Sequence, residues 1–260
     1  MLRSLAPASA LLLLSSPALA EGAFHVVHPG VSRGAFELES LNAVSLGPVP
    51  GGEERSVHEL ALGYGVTSFW KTTLAVELAN LQGGGVEAEA LEWENLFMLP
   101  VGEGPGAHAH GHSHAHAHDA AFAWSAGVYA RLEAPFEGGI GDGALVFGPV
   151  AEVSAHGVTL IGNLFLETPF GDEDPGLAYA VSAMAGIGGG VQAGFEAHGG
   201  VEDAFGDTPA FGDQAHYAGP ALAATFDLDG RSLTPRAAVL FGLTDGAADA
   251  ALSLNLELSF

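Results

Sequence analysis

The chain contains no cysteine and few basic residues: 7 of its 260 residues are Lys or Arg, against 31 Asp or Glu. Without cysteine it can form neither a disulfide framework nor a thiolate zinc site. Its net charge of −24 excludes nucleic acid as a partner, because binding phosphates requires a basic surface. The fold must therefore be held together by backbone hydrogen bonds and apolar packing.

A long apolar run is also missing after residue 20. No later segment approaches the ~20 apolar residues of a membrane-spanning helix. Yet 48% of the residues are hydrophobic and the mean hydropathy is +0.30, which excludes a disordered chain. The hydrophobicity must therefore be distributed over alternating strands.

The first 20 residues have the features of a secretory signal peptide. Arg3 is their one basic residue, a short leucine run follows at 11–14, and Ala18-Leu19-Ala20 forms an A-x-A cleavage site before Glu21. A buried helix is the alternative for this segment. We expect residues 1–20 to be removed and residues 21–260 to form a single domain.

The last nine residues alternate between apolar and polar side chains. Leucines and a final aromatic occupy one face, and polar residues occupy the other, with Glu257 near the end. In a membrane barrel the lipid face must be apolar, whereas the lumen face accepts polar groups. The segment resembles the last strand of Gram-negative outer-membrane β-barrels, in which a terminal aromatic such as Phe260 is read by the assembly machinery. The resemblance implies a porin-like architecture and no specific family.

Twelve segments have the period of two that is typical of strands. They lie at about 33–45, 56–66, 71–81, 86–99, 121–132, 144–155, 158–168, 177–187, 191–200, 214–226, 232–242 and 250–260. The sequence therefore predicts an all-β fold, a transmembrane antiparallel up-and-down β-barrel of about 12 strands. The fourth segment changes phase, which predicts a β-bulge near Ala90. An even strand number places both ends of the barrel domain, beginning at Glu21, on the periplasmic side.

The phase of each strand predicts an acidic lumen. Three bases, Lys71, Arg131 and Arg236, face ten glutamates there. The glutamates are Glu37, Glu39, Glu59, Glu77, Glu92, Glu94, Glu152, Glu167, Glu196 and Glu257. Carboxylate rings favour cations, so we expect a water-filled cation pathway. A closed barrel whose glutamates are paired, protonated or hydrogen-bonded is the alternative.

A histidine-rich segment at residues 108–118 is the sharpest chemical motif. Its six imidazoles, spaced two residues apart, can wrap a borderline metal such as Zn, Ni, Cu or Co. They are His108, His110, His112, His114, His116 and His118. No cofactor is predicted to be obligatory, and low-complexity drift is the alternative origin. Four strands precede the segment, so we expect it on the periplasmic side; a miscount by one strand would turn it outward.

Catalytic patterns are fragmentary. Ser154, His156 and Asn163 faintly resemble the set used by outer-membrane phospholipases, but the order is wrong and the neighbourhood of that family is missing. His198 and His216, near an acidic loop, could suggest an Asp/His protease barrel, although lone histidines beside an acidic loop are more often simply solvated. We therefore expect no enzyme, with a hydrolase such as a lipase as the alternative.

These observations predict a bacterial outer-membrane protein exported by a cleaved signal peptide. Its predicted function is a narrow, cation-preferring channel or conduit, associated with transition-metal ions through the His-rich segment. The alternative is a non-conducting barrel that acts as a metal-buffering or structural surface. The expected partners are outer-membrane lipid, the barrel assembly machinery and metal cations.

Overall fold

The computed structural model describes residues 23–48, 54–81, 85–100, 122–137, 140–172 and 174–260. Most of these residues form strands, in which apolar and polar side chains alternate. The signal segment 1–20 and the His-rich segment 108–118 lie outside these residues. The strands are β1 Phe36–Leu46, β2 Glu54–Gly65, β3 Trp70–Leu81, β4 Val86–Met98, β5 Ala123–Pro135, β6 Ala144–Ala155, β7 Val158–Pro169, β8 Gly176–Gly188, β9 Val191–Val201, β10 His216–Ala224, β11 Ser232–Gly242 and β12 Ala250–Ser259.

Three short elements complete the secondary structure of the described residues. The tenth strand resumes for two residues, Phe226–Asp227, which pair with β11. Single 3-10 turns lie at Ile140–Asp142 and Phe211–Asp213. In the described part of the chain, no helix has the length and apolar content needed to cross a membrane.

The strands form a closed antiparallel barrel. Each strand pairs with its neighbours in sequence, β1 pairs with β12 from Glu37↔Ser259 to Leu46↔Ala250, and β10 pairs with β11. Every strand therefore has two partners and no edge is left open, which is the condition for a sheet in lipid. The predicted twelve-stranded up-and-down barrel is confirmed.

The outer surface of the barrel is apolar. On β12, Leu252, Leu254 and Leu256 are exposed while Ser253 and Asn255 are buried, which confirms the predicted phase of this strand. Trp93, Trp124, Leu160 and Leu164 are likewise exposed on other strands. Apart from β10, the strands have 10 to 13 residues, enough to cross a bilayer at a tilt. This surface suits a lipid environment.

One end of the barrel carries an aromatic belt, at the edge where β1 begins and β12 ends. The ring of Phe36 lies 4.8 Å from that of Tyr64 and 5.9 Å from that of Phe260, measured between centroids. Trp70 and Phe97 stack with centroids 6.0 Å apart. Aromatic side chains prefer membrane–water interfaces, so this rim fits the level of the lipid headgroups.

The irregular fourth strand contains a bulge, as predicted. Glu77 pairs with Ala90 and Leu78 with Ala88, so Glu89 is the one extra residue of β4 at this point of the ladder. The bulge explains the change of phase without an additional strand. The connection from Met98 to Ala123 therefore leaves and returns at the barrel end where β1 begins, which removes the alternative of a miscount in this strand.

Candidate functional site: the lumen and its N-terminal plug

A segment that precedes the first strand lies inside the barrel. Residues 23–32, here called the plug, bury the side chains of Phe24, Val26, Val27 and Val31. The ring of Phe24 contacts the ring of Tyr217, with their centroids 5.1 Å apart. Tyr217 is close to the start of β10, at the end of the barrel opposite to the start of β1. The plug therefore extends through the lumen, from residue 23 near that opposite end to residue 32 near the start of β1.

The middle of the plug packs against two neighbouring parts of the wall, β7–β8 and β4–β6. Val26 belongs to a cluster with Ile161 and Ala180. Val27 and Val31 belong to a second cluster, formed with Leu96, Tyr129 and Val150. Full burial of a valine side chain stabilises by roughly 1.5–3 kcal/mol relative to exposure. These apolar contacts therefore stabilise the docked plug and offset part of the conformational entropy that ordering it costs.

Two glycines allow the chain to turn from the plug into β1. Gly34 has φ +81°, a conformation that costs glycine little, and its N–H donates to the carbonyl oxygen of Gly65 at 2.7 Å. A Cβ at Gly65 would overlap the carbonyl oxygen of Ser32. The end of β2 therefore accepts the incoming plug only because residue 65 has no side chain.

Polar groups of the plug also find partners on the wall. The backbone N–H of Val27 donates to Asn163 Oδ1, and Asn163 Nδ2 donates to the carbonyl of Val27, both at 2.9 Å. His28 lies 3.7 Å from Glu152 and 3.5 Å from Arg236. The two bonds from Asn163 satisfy the backbone groups of Val27, which would otherwise be buried without partners.

His25 of the plug lies 3.8 Å from Glu39. Burial, followed by the positive charge of Lys71, lowers the pKa of His25 to about 3. The imidazole is therefore neutral near pH 7 while the plug is docked.

The plug corrects the prediction of a lumen filled mainly with water. The sequence placed Glu21 on the periplasmic side, whereas Ala23 is buried and Phe24 contacts Tyr217 near the opposite end of the barrel. Residues 23–32 lack strand alternation, and local periodicity does not show where a non-strand segment packs. The signal that could have found the plug is its apolar content, with Phe24, Val26, Val27 and Val31 within eight residues.

The ten predicted lumen glutamates lie on the inward face. Seven are at most 9% exposed: Glu37, Glu39, Glu59, Glu92, Glu94, Glu167 and Glu196. Glu77, Glu152 and Glu257 are half-buried and line cavities. Their burial agrees with their strand phase, and their role as a cation pathway stays a prediction.

Each of the three predicted bases holds some of these carboxylates. Lys71 Nζ lies 2.7 Å from Glu37 and 3.6 Å from Glu39. Arg236 forms an ion pair with Glu196 and donates to Ser182 Oγ at 2.6 Å. The third base, Arg131, contacts the carboxylates of Glu92 and Glu133. The wall therefore mixes ion pairs with carboxylates that outnumber the bases.

Space remains beside the plug. A cavity of about 320 Å³ is bordered by plug residues and by wall carboxylates that include Glu37, Glu39, Glu152 and Glu257. A second cavity of about 90 Å³ lies between the plug and wall residues of β2 to β9. Since one water occupies about 30 Å³, the larger cavity can hold several waters or a hydrated cation.

The residues that suggested a catalytic site in the sequence do not contact one another in the way that a catalytic set would. The hydroxyl of Ser154 pairs with that of Thr159 at 2.9 Å, His156 is exposed in the β6–β7 turn, and Asn163 binds Val27. The interpretation of His198 and His216 as solvated residues is wrong, because both are buried. His198 contacts Glu196 at 3.2 Å, and His216 contacts Tyr179 at 3.1 Å; burial followed from their inward phase.

Comparison with known proteins gives structural likenesses only. No family model matches the chain, and no curated protein matches it. The porin NanC is similar over 86% of this chain and 98% of its own, with 10% identity and a TM-score of 0.49. OccAB2 of Acinetobacter baumannii (86% and 64%, 11% identity, TM-score 0.40) and the outer membrane protein OprD of Pseudomonas aeruginosa (87% and 65%, 9% identity, TM-score 0.39) are also similar. The chain thus spans less than two thirds of the latter two.

Proposed function

We propose that this chain is an outer-membrane channel or conduit that prefers cations and that the plug holds closed at rest. The observation that carries the proposal is the arrangement of the lumen: ten inward glutamates face three bases, and five of these glutamates border a cavity of about 320 Å³. Excess carboxylates attract cations and repel anions. The closed sheet and apolar exterior support placement in a membrane.

The plug makes opening a separate step. Its contacts with the wall are apolar side chains and a few hydrogen bonds, without a covalent link, since the chain has no cysteine. A released plug would expose the wall carboxylates along the lumen. In this proposal the plug limits the current, and the glutamates determine its selectivity.

The filled lumen also favours a second candidate, a barrel that conducts nothing and serves as a metal-buffering or structural surface. The burial of Phe24, Val26 and Val27 inside the barrel is the observation behind it. Both candidates keep the histidines of 108–118 as a ligand set for Zn, Ni, Cu or Co. They differ in whether ions cross the barrel.

Planar-bilayer recording of the refolded mature chain separates the two candidates. In asymmetric KCl, the channel proposal expects a reversal potential that shows preference for potassium. A cysteine pair at Val26 and Ala180, which pack in one cluster, should join the plug to the wall. Current should then be low under oxidising conditions and recover on reduction, with each single-cysteine variant as control.

Two results would contradict the proposal. Anion preference would refute the role of the carboxylates. Absence of current both from the mature chain and from a variant with a weakened plug would favour the non-conducting barrel. If oxidised and reduced forms of the cysteine pair conduct equally once the disulfide is verified by mass, the plug is not the gate.

A further inference from the structure

Three buried carboxylates converge on the lumen wall. Glu59 of β2 and Glu92 and Glu94 of β4 are 5%, 0% and 7% exposed. One carboxylate oxygen from each lies within 4.8 Å of the other two. Like charges at this separation repel strongly inside a barrel, so the arrangement needs a compensating group.

The strand between them explains how these side chains meet. On β3, Ala75 pairs with Ala61 of β2 on one side and with Glu92 of β4 on the other. Adjacent strands are about 4.8 Å apart, so β2 and β4 lie about 10 Å apart. The methyl group of Ala75 leaves free the space over β3 into which the longer glutamates extend.

The basic group at this place is insufficient to neutralise the cluster. Arg131 of β5 lies 3.1 Å from Glu92 and also contacts Glu133 at 3.3 Å. Among the described residues, neither carboxylate oxygen of Glu92 accepts a hydrogen bond. Shared between two carboxylates, Arg131 leaves Glu59 and Glu94 without a basic partner of their own.

The environment of Glu59 also indicates a bound ligand. Its side chain is 95% buried and directed into the cluster. Within the residues that the structure describes, its carboxylate has neither an ion pair nor a hydrogen bond. A buried carboxylate without a partner is costly unless a cation or a proton joins it.

A cavity of about 90 Å³ adjoins the cluster. Glu59, Glu94, Tyr129 and Arg131 line it from the wall, and Phe24, His25 and Val27 of the plug close it. This volume accommodates an ion with one or two waters. The site is therefore bounded partly by the barrel and partly by the plug.

We propose that Glu59, Glu92 and Glu94 bind one hard divalent cation of the calcium, magnesium or manganese class. Three carboxylates supply up to six oxygens, the donor type that these ions select, and no thiolate or imidazole belongs to the cluster. A divalent cation also supplies the two positive charges that Glu59 and Glu94 lack. The site is separate from the His-rich segment, whose nitrogens suit borderline metals.

The test is titration of the refolded mature chain with Mn²⁺ in detergent, followed by electron paramagnetic resonance. We expect one bound Mn²⁺ per chain, displaced by Ca²⁺, in the wild type and in a variant whose six histidines at 108–118 are alanines. Glu59→Gln should raise the Mn²⁺ dissociation constant at least about tenfold, the scale on which metal sites respond to loss of a supporting group.

Glu152→Gln is the matched control, because it removes the same charge from the lumen wall outside the cluster. It should raise the dissociation constant less than threefold, through long-range charge alone. Gel mobility of the folded barrel without heating shows whether each variant folds. No bound Mn²⁺ in the wild type, or equal effects of the two variants, would overturn the site. Mn²⁺ binding is measured without recording an ionic current. The test of the cation site therefore does not depend on whether the barrel conducts.

Discussion

The side-chain amide of Asn163 on β7 pairs with both backbone polar groups of Val27 in the plug, through two hydrogen bonds of 2.9 Å. The pair joins residues 136 positions apart in sequence. It fixes the depth of the plug, because only one peptide register places the N–H and the carbonyl of Val27 opposite the amide.

Asn163→Leu should loosen the plug. The change leaves two buried backbone groups without partners, at about 1–3 kcal/mol for each group. With a reporter cysteine at Val26, we expect the rate of maleimide labelling to increase at least about tenfold, since 1.4 kcal/mol corresponds to a factor of ten.

The matched control for that change is Asn42→Leu. Asn42 bonds to the carbonyl of Leu254 and to His58 within the wall and contacts no plug residue through those bonds. In the Asn42→Leu variant, the rate of maleimide labelling at the reporter cysteine should stay near that of the Val26→Cys protein without a second change. Equal rates for both asparagine variants would show that Asn163 does not hold the plug.

Leu254→Arg should impair insertion of the barrel. Leu254 is 57% exposed at the middle of β12, and an arginine facing mid-bilayer costs roughly 2–4 kcal/mol. The fraction of folded barrel formed in lipid vesicles measures the effect. Leu254→Met keeps an apolar side chain there and should insert as the wild type does; a similar loss in both variants would contradict a lipid-facing position.

Acid should favour release of the plug. The pKa of His25 is lowered to about 3 in the docked state, so docking is favoured above its ordinary value of 6.5 and weakens as pH falls from 6.5 toward 3. The groups that act on His25 are Glu39 at 3.8 Å and, by their positive charge, Lys71, His28, Arg236 and Arg131. We expect open probability in planar bilayers to rise between pH 7.5 and pH 5.

The control for the pH effect is His25→Gln, which stays neutral throughout this range. All other ionisable groups are the same in both proteins, so the difference between the two pH profiles reports His25 alone. Coincident profiles would mean that protonation of His25 does not move the plug.

A cysteine at Ser113 tests the side of the membrane on which the His-rich segment lies. The flanking strands β4 and β5 meet this connection at the barrel end where β1 begins, and we predict that this end faces the periplasm. A bulky, membrane-impermeant maleimide should label Ser113→Cys only after the outer membrane is permeabilised. Labelling of intact cells would reverse the orientation and place any metal binding on the cell surface.

The strand pattern was predictable from sequence because a barrel wall imposes a strict local rule. Side chains alternate between lipid and lumen, so Leu254 and Asn255 report their environments directly. The same rule located the ten lumen glutamates, and the change of phase in β4 revealed the bulge at Glu89.

Sequence alone therefore determined the architecture, the number of strands and the acidic character of the lumen. Tertiary structure decided what fills the lumen and which charges meet there. The contact between Val27 and Asn163, and the approach of Glu59 to Glu92 across Ala75, depend on barrel curvature and on a segment without periodicity. Such contacts join distant residues through space, and no local pattern encodes which of them will form.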